Sequence, residues 1–449
     1  MPLVRDLPSK CAVFRNGAKG FRIINRGLNP AFAQSNSGWF LVSATSRQPR
    51  VINEAPQEAI DASPDRLRVD SEHLEMGMNG LKHSMNIVAG IGLGGLALTW
   101  SVAACANLVV AVAGPMTGEY ASGGEQFRKG AEQAVKDINA TGGLLGQKVD
   151  LVVGDDVCDP KQAVSVANSF VNKKVAFVDG HWCSSSTLPA SDVYNDAQIP
   201  QVTVSTNPKI TERGIKGIFR ITGRDDQQGQ VAGDYIAANF KGKKIAVVDD
   251  KTAYGGGLAD EIAKELAAKQ TPVVLRQSIT AGEKDYSGLV SKLKANGVEV
   301  LAYGGYYQEV ALILRQAAQA GLKLTLVGGD TLTNNELVNA AGPEINKVIF
   351  TFPPDPRKNA AAAKVVEALR AQKIEPEGYM LYSYAAMQVF ADAAKRANST
   401  DYAAVVKQLH NASFNTVVGP VDFDAKGDLK SPGYVVYRWK GNNYEYVNK

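Results

Sequence analysis

From residue 107 to the end of the chain, short apolar runs alternate with longer amphipathic stretches. The apolar runs are typical of strands buried on both faces of a parallel sheet. The stretches between them place apolar residues three or four positions apart, which predicts helices with one buried face. The predicted strands cover residues 108–112, 149–153, 175–179, 200–204, 217–221, 244–248, 273–275, 300–303, 324–327 and 348–352, with further strands within 419–423 and 434–439. The predicted helices cover residues 126–140, 160–172, 188–195, 229–240, 257–269, 286–295, 309–320, 359–372, 379–396 and 401–410.

This alternation predicts an α/β fold in which parallel sheets are covered by helices and joined by right-handed crossovers. It occurs in two series, which predicts two doubly wound parallel-sheet lobes with a cleft between the carboxyl ends of their strands. After the strand at 348–352 the chain returns to the first series. We therefore expect residues 107–224 and 354–432 to form lobe 1, and residues 225–353 and 433–449 to form lobe 2.

The first 106 residues follow a different pattern. Residues 1–77 sustain no helical or strand period, and we expect them to be disordered or to lie outside the working protein. Residues 78–106 combine a short basic lead, an apolar glycine-rich run and a small-residue end, which predicts a secretory signal peptide. The alternative, a membrane anchor, is disfavoured because the apolar run is short and rich in glycine for a span.

A signal peptide belongs at the start of a chain, so we expect translation to begin at Met76, Met78 or Met85. The end of the segment has two interpretations. Ala104-Cys105-Ala106 fits a signal-peptidase site, whereas residues 102–105 resemble a bacterial lipobox that would leave a lipid on Cys105.

Cysteine usage agrees with export. Of the four cysteines in the chain, Cys158 and Cys183 follow residue 106 and form one even pair in an oxidising compartment. We expect a disulfide between them, which would tie the loop at 155–158 to the turn at 180–189. The alternative, a nucleophile pair of Cys183 and His181, would require two residues of one turn to face each other.

Composition removes several function classes. The 449 residues, 45% hydrophobic and 21% charged, suffice for two or three globular domains. The formal net charge of +4 is small for this length and no basic run is interleaved with aromatics, so we expect no nucleic-acid partner. No Cys-x-x-Cys or His/Cys cluster indicates a metal, and we expect no cofactor.

The turn GHWCSSSTLP at 180–189 is a candidate anion site. It follows the predicted strand at 175–179 and leads into a helix that we expect to start at Leu188, with Ser or Thr side chains capping the first turn. Free N–H groups, the helix dipole and neighbouring hydroxyls suit a carboxylate or phosphate without a cationic side chain. The alternative is an ordinary capped turn.

Five further loops follow predicted strands and should meet this turn at the cleft. They are residues 114–120 and 205–206 in the first series and 251–254, 304–306 and 329–330 in the second. We expect hydroxyls and N–H groups on the first-series side of the cleft, and aromatic side chains and one carboxylate on the second-series side. A zwitterionic amino acid needs donors for its carboxylate, an acceptor such as Asp330 for its ammonium group, and an apolar slot for its side chain.

From residue 107 to 449 the chain closely resembles the leucine/isoleucine/valine-binding proteins of bacterial ABC importers, which have the type I solute-binding fold. The stretches that carry the resemblance are DDVCDPKQAV at 155–164, GHWCSSST at 180–187, ITAGEKD at 279–285, YGGY at 303–306 and GPVDFDAKG at 419–427. The resemblance implies two lobes joined by crossing hinge strands that close over an amino acid. It also implies a monomeric periplasmic protein, not an enzyme, that delivers a branched-chain or related amino acid to the membrane permease of an importer.

The resemblance further implies roles for single residues. Ser184 and Thr206 match residues that hold the ligand α-carboxylate, and Asp330 matches an acidic residue, usually Glu, that holds the α-ammonium. A disulfide is implied at Cys158 and Cys183. The full set of expected ligand residues is Cys183, Ser184, Val204, Ser205, Thr206, Tyr254, Tyr306, Asp330 and Tyr379.

Three departures from the family pattern bear on ligand preference. The family's tyrosine in the first loop falls near Gly123 here, with Tyr120 displaced by three positions. Asp330 is one methylene shorter than Glu, so it must reach the ammonium through lobe closure or through water. Ser205 replaces an alanine of the best-known members and makes that corner more polar.

Two alternatives from other classes remain. A sensory receptor of the same fold, for amides or other amino-acid-like ligands, would signal instead of delivering its ligand, and a cytoplasmic amide sensor would lack the signal peptide. A secreted hydrolase using the serines at 184–186 would need a Gly-x-Ser-x-Gly elbow, which the sequence lacks, and a suitable base among only four histidines.

Overall fold

The computed structural model describes residues 107–447. The predictions for residues 1–77 and 78–106, Cys105 included, lie outside these residues. The strands are β1 Leu108–Gly114, β2 Val149–Asp155, β3 Val178–Asp179, β4 Gln201–Thr203, β5 Ile218–Arg220, β6 Ile245–Asp249, β7 Val273–Ser278, β8 Val300–Gly304, β9 Thr325–Gly328, β10 Val348–Phe352, β11 Ser413–Thr416, β12 Gly419–Asp422, β13 Val435–Lys440 and β14 Asn443–Tyr446.

The helices alternate with these strands. They are α1 Ala121–Ala140, α2 Pro160–Asn172, α3 Ser184–Asp196, α4 Lys209–Glu212, α5 Asp225–Asn239, α6 Ala253–Ala268, α7 Ser287–Ala295, α8 Tyr307–Gln319, α9 Asn335–Ala341, α10 Ala363–Ala371, α11 Met380–Ala397 and α12 Tyr402–Asn411. Short 3-10 turns cover Asp330–Thr333, Gly342–Lys347, Pro356–Lys358 and Ala360–Ala362. Within the described part of the chain, each helix falls short of the length and apolar content that a membrane crossing requires.

Two sheets organise the molecule. The first has the order β2-β1-β3-β4-β5 and is parallel throughout. The second has the order β14-β13-β10-β9-β8-β6-β7, parallel except that β13 runs antiparallel to β10 and β14. In each sheet the strand order reverses beside the first strand of the series, β1 or β6. Loops that leave the carboxyl ends of neighbouring strands diverge at such a point and open a crevice.

The chain passes between the two sheets three times. Strands β1–β5 precede the first passage, and β6–β10 build most of the second sheet. The chain then returns, because α11 packs on α1, and it adds the separate β11–β12 hairpin before β13 and β14 close the second sheet. The core beside β3 includes a stacked pair of Phe177 and Phe390, with ring centroids 4.5 Å apart. These passages place residues of both sheets around one crevice.

Several predicted boundaries were wrong. The third strand was expected over residues 175–179, but its regular part is Val178–Asp179, the stretch that pairs with both β1 and β4. Ala176 and Phe177 still bond β1, through Ala176 N to Val109 O at 2.8 Å and Ala111 N to Phe177 O at 2.9 Å. The predicted helix at 359–372 begins as the 3-10 turn Ala360–Ala362, and α10 covers only Ala363–Ala371. Strands β11 and β14 and helix α9 were not predicted.

The helix after the anion-site turn was also misplaced. It begins at Ser184, four residues before the predicted start at Leu188, and Pro189 lies inside it. Its N-cap is Cys183, which makes no side-chain capping hydrogen bond, so the expected Ser or Thr cap is absent from α3. By contrast, the expected Pro160 start of α2 is confirmed, with the Asp159 carboxylate accepting from Lys161 N and Gln162 N at 2.9 and 2.8 Å.

Candidate functional site

One cavity lies among the loops at the carboxyl ends of strands from both sheets, with about 220 Å³ of empty space that is partly open to solvent. Its lining residues are Trp182, Ser184, Val204, Ser205, Thr206, Tyr254, Tyr306, Asp330, Thr331 and Tyr379. All the expected ligand residues are therefore brought together except Cys183, which is not on the lining. Sequence reasoning missed Trp182 and Thr331, although each stands next to a residue that it selected.

The start of α3 supplies one end of the cavity. Ser186 N and Thr187 N both donate to Cys183 O, at 3.1 and 2.9 Å, which leaves the N–H groups of Ser184 and Ser185 for another acceptor. Cys183 cannot cap these groups with its side chain, because its sulfur is bonded to Cys158 across a Cα–Cα distance of 5.5 Å. The predicted disulfide is therefore present, and it leaves a 13-residue helix with an uncapped N-terminus beside the Ser184 hydroxyl.

A buried ion pair holds the loop that carries Thr206. Arg220, on β5, is fully buried, and its Nε donates to Asp428 Oδ1 at 2.8 Å. Its Nη1 donates to the carbonyl oxygens of Ser205 and Asn207, the latter at 3.1 Å. The planar guanidinium thereby holds the carbonyl groups of both neighbours of Thr206. The sequence offered no signal for this arrangement, because Asp428 lies 208 residues after Arg220.

The Ser205 hydroxyl is used inside the protein. It donates to the carbonyl oxygens of His181 and Trp182, both at 3.1 Å, and lies 2.7 Å from Thr187 Oγ1. The residue lines the cavity, but these contacts occupy its hydroxyl. The expected gain in polarity at this corner therefore acts on the turn that holds Ser184 rather than on the cavity.

Asp330 supplies the opposite end of the cavity. It follows β9, is 2% exposed, and accepts hydrogen bonds from Tyr254 Oη at 2.7 Å and from the Tyr379 hydroxyl. Burial raises the pKa of Asp330, against the lowering effect of the bonds from Tyr379, Tyr254 and Gln228. The two phenols orient the carboxylate without neutralising it. A cation in the cavity would provide the positive charge that balances the Asp330 carboxylate.

An aromatic wall lines the space between these ends. The Tyr306 ring lies 4.5 Å from Tyr120, 5.5 Å from Trp182 and 5.2 Å from Tyr254, measured between ring centroids. The indole of Trp182 covers Gly123, where an added Cβ would lie 2.8 Å from Trp182 Cζ2. A larger side chain at residue 123 would therefore collide with the Trp182 ring.

His181 has a different function from the one the hydrolase alternative requires. It is fully buried, with Nδ1 2.5 Å from Asp156 Oδ2 and Nε2 2.9 Å from Tyr194 Oη. Both ring nitrogens are thus engaged away from the serines at 184–186. Its carbonyl oxygen accepts from Thr187, Thr203 and Ser205, so the residue anchors the turn. This arrangement supplies no base for a serine nucleophile or for Cys183.

No group of three or more His, Cys, Asp or Glu side chains within residues 107–447 is arranged to hold a metal ion. The cavity has hydrogen-bond donors at one end, a carboxylate at the other and an aromatic wall between them. This arrangement suits a small zwitterion with an apolar side chain.

Comparisons with known proteins agree with this geometry. The periplasmic binding protein family model matches residues 108–443. The Leu/Ile/Val-binding protein homolog 1 of Brucella melitensis is 46% identical over 368 residues, which cover 81% of this chain and 99% of that protein. The leucine-, isoleucine-, valine-, threonine-, and alanine-binding protein of Pseudomonas aeruginosa is 41% identical over 366 residues, 80% of this chain and 96% of that protein.

A solved structure shows the same fold. The branched-chain amino acid transporter substrate-binding protein LivJ of Streptococcus pneumoniae, in complex with isoleucine, is 25% identical and superposes with a TM-score of 0.69 over 76% of this chain and 99% of that one. The predicted α/β fold with two parallel-sheet lobes is thereby confirmed. The family consists of extracytoplasmic solute-binding proteins rather than enzymes. With the family model matching about three quarters of the chain, the protein belongs to the periplasmic binding protein family.

Proposed function

We propose that the protein captures a branched-chain amino acid in the cavity between its two sheets and delivers it to the membrane subunits of an ABC importer. The observation that carries this proposal is the pairing of two chemically opposite ends in one enclosed space. The uncapped start of α3 lies at one end and the buried Asp330 carboxylate at the other. Relatives whose names state leucine, isoleucine and valine binding support the same ligand class.

At the donor end, the ligand carboxylate accepts from the Ser184 and Ser185 N–H groups and from the Ser184 and Thr206 hydroxyls. The α3 dipole adds to this attraction, so no cationic side chain is needed. Because Arg220 holds the carbonyl groups of both neighbours of Thr206, the loop that carries this hydroxyl is fixed before the ligand arrives. Hydrogen bonds to a charged group contribute about 1.5–3 kcal/mol each.

At the acceptor end, Asp330 pairs with the ligand's α-ammonium. The phenols of Tyr254 and Tyr379 already hold the carboxylate, so its orientation is set by contacts from the second sheet and from the start of α11. The ligand side chain packs against Trp182, Val204 and Tyr306. Branched aliphatic side chains offer apolar area to this wall and leave no polar group unpaired there.

We also propose that the protein works as a monomer in the periplasm. The predicted signal peptide at 78–106 supports export, and the family implies an extracytoplasmic location. The exported protein would either be cleaved after Ala106 or carry a lipid on Cys105.

Trp182 gives a direct readout of binding, because its indole lines the cavity. Titration of the purified protein with a panel of amino acids should change the tryptophan emission for leucine, isoleucine and valine, with saturation at one ligand per chain. Trp182→Phe is the control for the signal and should remove the emission change while calorimetry still detects binding. The proposal fails if calorimetry on the parent protein detects no binding of any of the three.

A further inference from the structure

Tyr120 belongs to the loop between β1 and α1, but its side chain packs on residues of the second lobe. Its ring centroid lies 4.5 Å from that of Tyr306 and 6.2 Å from that of Tyr307, both of which follow β8. Its hydroxyl donates to Glu309 Oε1 at 3.3 Å. The residue is 8% exposed and is not on the cavity lining. A tyrosine of the first lobe is therefore buried against the second lobe, and the proposed site gives it no role.

Glu309, the acceptor of this bond, is a buried carboxylate in the first turn of α8. Its Oε1 also accepts from Gly282 N at 3.0 Å, whereas its Oε2 has no hydrogen-bond partner of regular geometry among residues 107–447. Burial raises the pKa of Glu309, against the lowering effect of the N–H groups of Gly282 and of Glu309 itself and of the Tyr120 hydroxyl. Because an enclosed carboxylate is costly without donors, the hydroxyl of Tyr120 stabilises Glu309 when the two lobes meet.

The backbone beside Tyr120 contacts the same part of the second lobe. Glu119 O accepts from Gln308 Nε2 at 3.0 Å and from Tyr307 Oη at 3.4 Å. Opening the crevice would break these bonds and the bond to Glu309 together, because their partners lie on opposite sides of it. The Tyr120 ring would then lose its packing against Tyr306, which lines the cavity. All of these contacts therefore depend on the closed arrangement of the lobes.

We propose that Tyr120 is a positioning residue that holds the lobes closed over a bound amino acid, through its hydroxyl on Glu309 and its ring on Tyr306. This inference rests on the proposed function and makes it more specific. Because Tyr120 does not line the cavity, it acts on the closed complex and not on the encounter of the ligand with the open protein. It therefore slows the release of the amino acid and leaves the association rate unchanged. Tyr120 is also the displaced tyrosine of the first loop, so this role belongs to a departure from the family pattern.

The variant that tests this is Tyr120→Phe, which keeps the ring and removes the hydroxyl, with Tyr384→Phe as its matched control. Tyr384 is 7% exposed and likewise donates to a carboxylate, Asp137 Oδ2 at 2.9 Å, but this bond joins α11 to α1 within the first lobe. Stopped-flow measurements of the tryptophan emission should show leucine release about three- to tenfold faster for Tyr120→Phe, with an association rate within about twofold of the parent. Tyr384→Phe should release leucine like the parent. An unchanged release rate for Tyr120→Phe, or an increase that Tyr384→Phe shares, would overturn the proposal.

Two further measurements separate this role from a direct contact with the ligand and from a general loss of stability. A residue that touches the ligand side chain would affect leucine, isoleucine and valine unequally, whereas Tyr120→Phe should accelerate the release of all three by the same factor. In a Glu309→Ala background, Tyr120→Phe should cause no further acceleration, because the hydroxyl then has no acceptor to lose. Unequal factors for the three ligands, or full additivity of the two substitutions, would contradict the proposal.

Thermal melts verify that each variant is folded. If Glu309→Ala does not fold, the comparison of Tyr120→Phe with Tyr384→Phe still decides, because each of these substitutions removes only one hydroxyl. A parent protein that binds no amino acid at all would instead refute the proposed function.

Discussion

Replacing Asp330 by Asn tests the ligand class most directly. The carboxylate is 2% exposed and receives hydrogen bonds from two phenols, one of them Tyr254 at 2.7 Å. Asn has almost the same size and keeps one oxygen that can accept from either phenol. The substitution therefore removes the negative charge while leaving the cavity shape in place, and the fold should survive it.

The magnitude follows from what the charge faces. Truncating one partner of a buried, hydrogen-bonded charge pair costs about 2–5 kcal/mol, because the remaining charge is left without a partner. With every 1.4 kcal/mol worth a factor of ten, the Kd for leucine should rise roughly 30- to 4,000-fold. Asp330→Glu restores the longer acid of the family pattern and should bind within about tenfold of the parent, in either direction.

Calorimetry on the parent and both variants measures this, with thermal melts to verify that each is folded. 4-Methyl-2-oxopentanoate, which keeps the carboxylate and side chain of leucine but lacks the ammonium, should bind the parent poorly. Parent-like leucine binding by a folded Asp330→Asn variant would show that this carboxylate serves only the 3-10 turn in which it lies, and the assignment of the acceptor end would have to be abandoned.

Three further predictions concern other parts of the molecule. The double variant Ser184→Ala/Thr206→Ala should stay folded and bind leucine with a cost of about 1.5–3 kcal/mol per lost hydrogen bond, so an unchanged Kd by calorimetry would refute the donor end. Cys158 and Cys183 should be oxidised in exported protein, as mass spectrometry can verify. Because the two cysteines are 25 residues apart, reducing the disulfide should cost roughly 3.5 kcal/mol of folding stability. Reduction should therefore lower the melting temperature more than it lowers leucine affinity at saturating ligand. Burial raises the pKa of Asp250 from 3.8 to about 7, so the folded state loses stability as the pH rises from 3.8 to 7. Asp250→Asn cannot ionise and should remove up to about 4 kcal/mol of this pH-dependent loss. Melting curves in which parent and variant differ by the same amount at pH 4 and pH 8 would contradict this prediction.

The sequence predicted the loops of the site better than the elements that carry them. The strands and helices follow from apolar periodicity, because each element buries one face or both in a regular sheet. The start of α3 does not follow from it, since the segment SSSTLP is poor in helix-forming residues and contains Pro189. Tertiary contacts stabilise this turn instead, including the disulfide of Cys183 and the bonds that the His181 carbonyl accepts.

The sequence did not reveal residues whose roles depend on partners far away in the chain. Arg220 and Asp428 are far apart in the sequence and show no local pattern that would pair them. Trp182 lies inside the turn that the sequence analysis selected. The contact of its ring with Gly123 could not be predicted, because it depends on how β1 and β3 bring their loops together.

The distribution of contacts between the two lobes indicates what holds them together around a ligand. The direct contacts are of two kinds. At the rim, the Lys284–Glu119 pair is 79% and 40% exposed, and the side chains of Ser122 and Asn334 meet at 3.2–3.3 Å. Exposed ion pairs of this kind contribute little to stability. Deeper contacts include the bond from Asn207 Nδ2 to Ala253 O at 2.6 Å and the ring pair of Tyr120 and Tyr306. An amino acid in the cavity would join α3 at its carboxylate to Asp330 at its ammonium, and each of those bonds is buried and charge-assisted. The ligand would thus add charged links to the direct contacts between the lobes, and we expect a molecule that carries only one of the two charges to stabilise the closed arrangement less than an amino acid does.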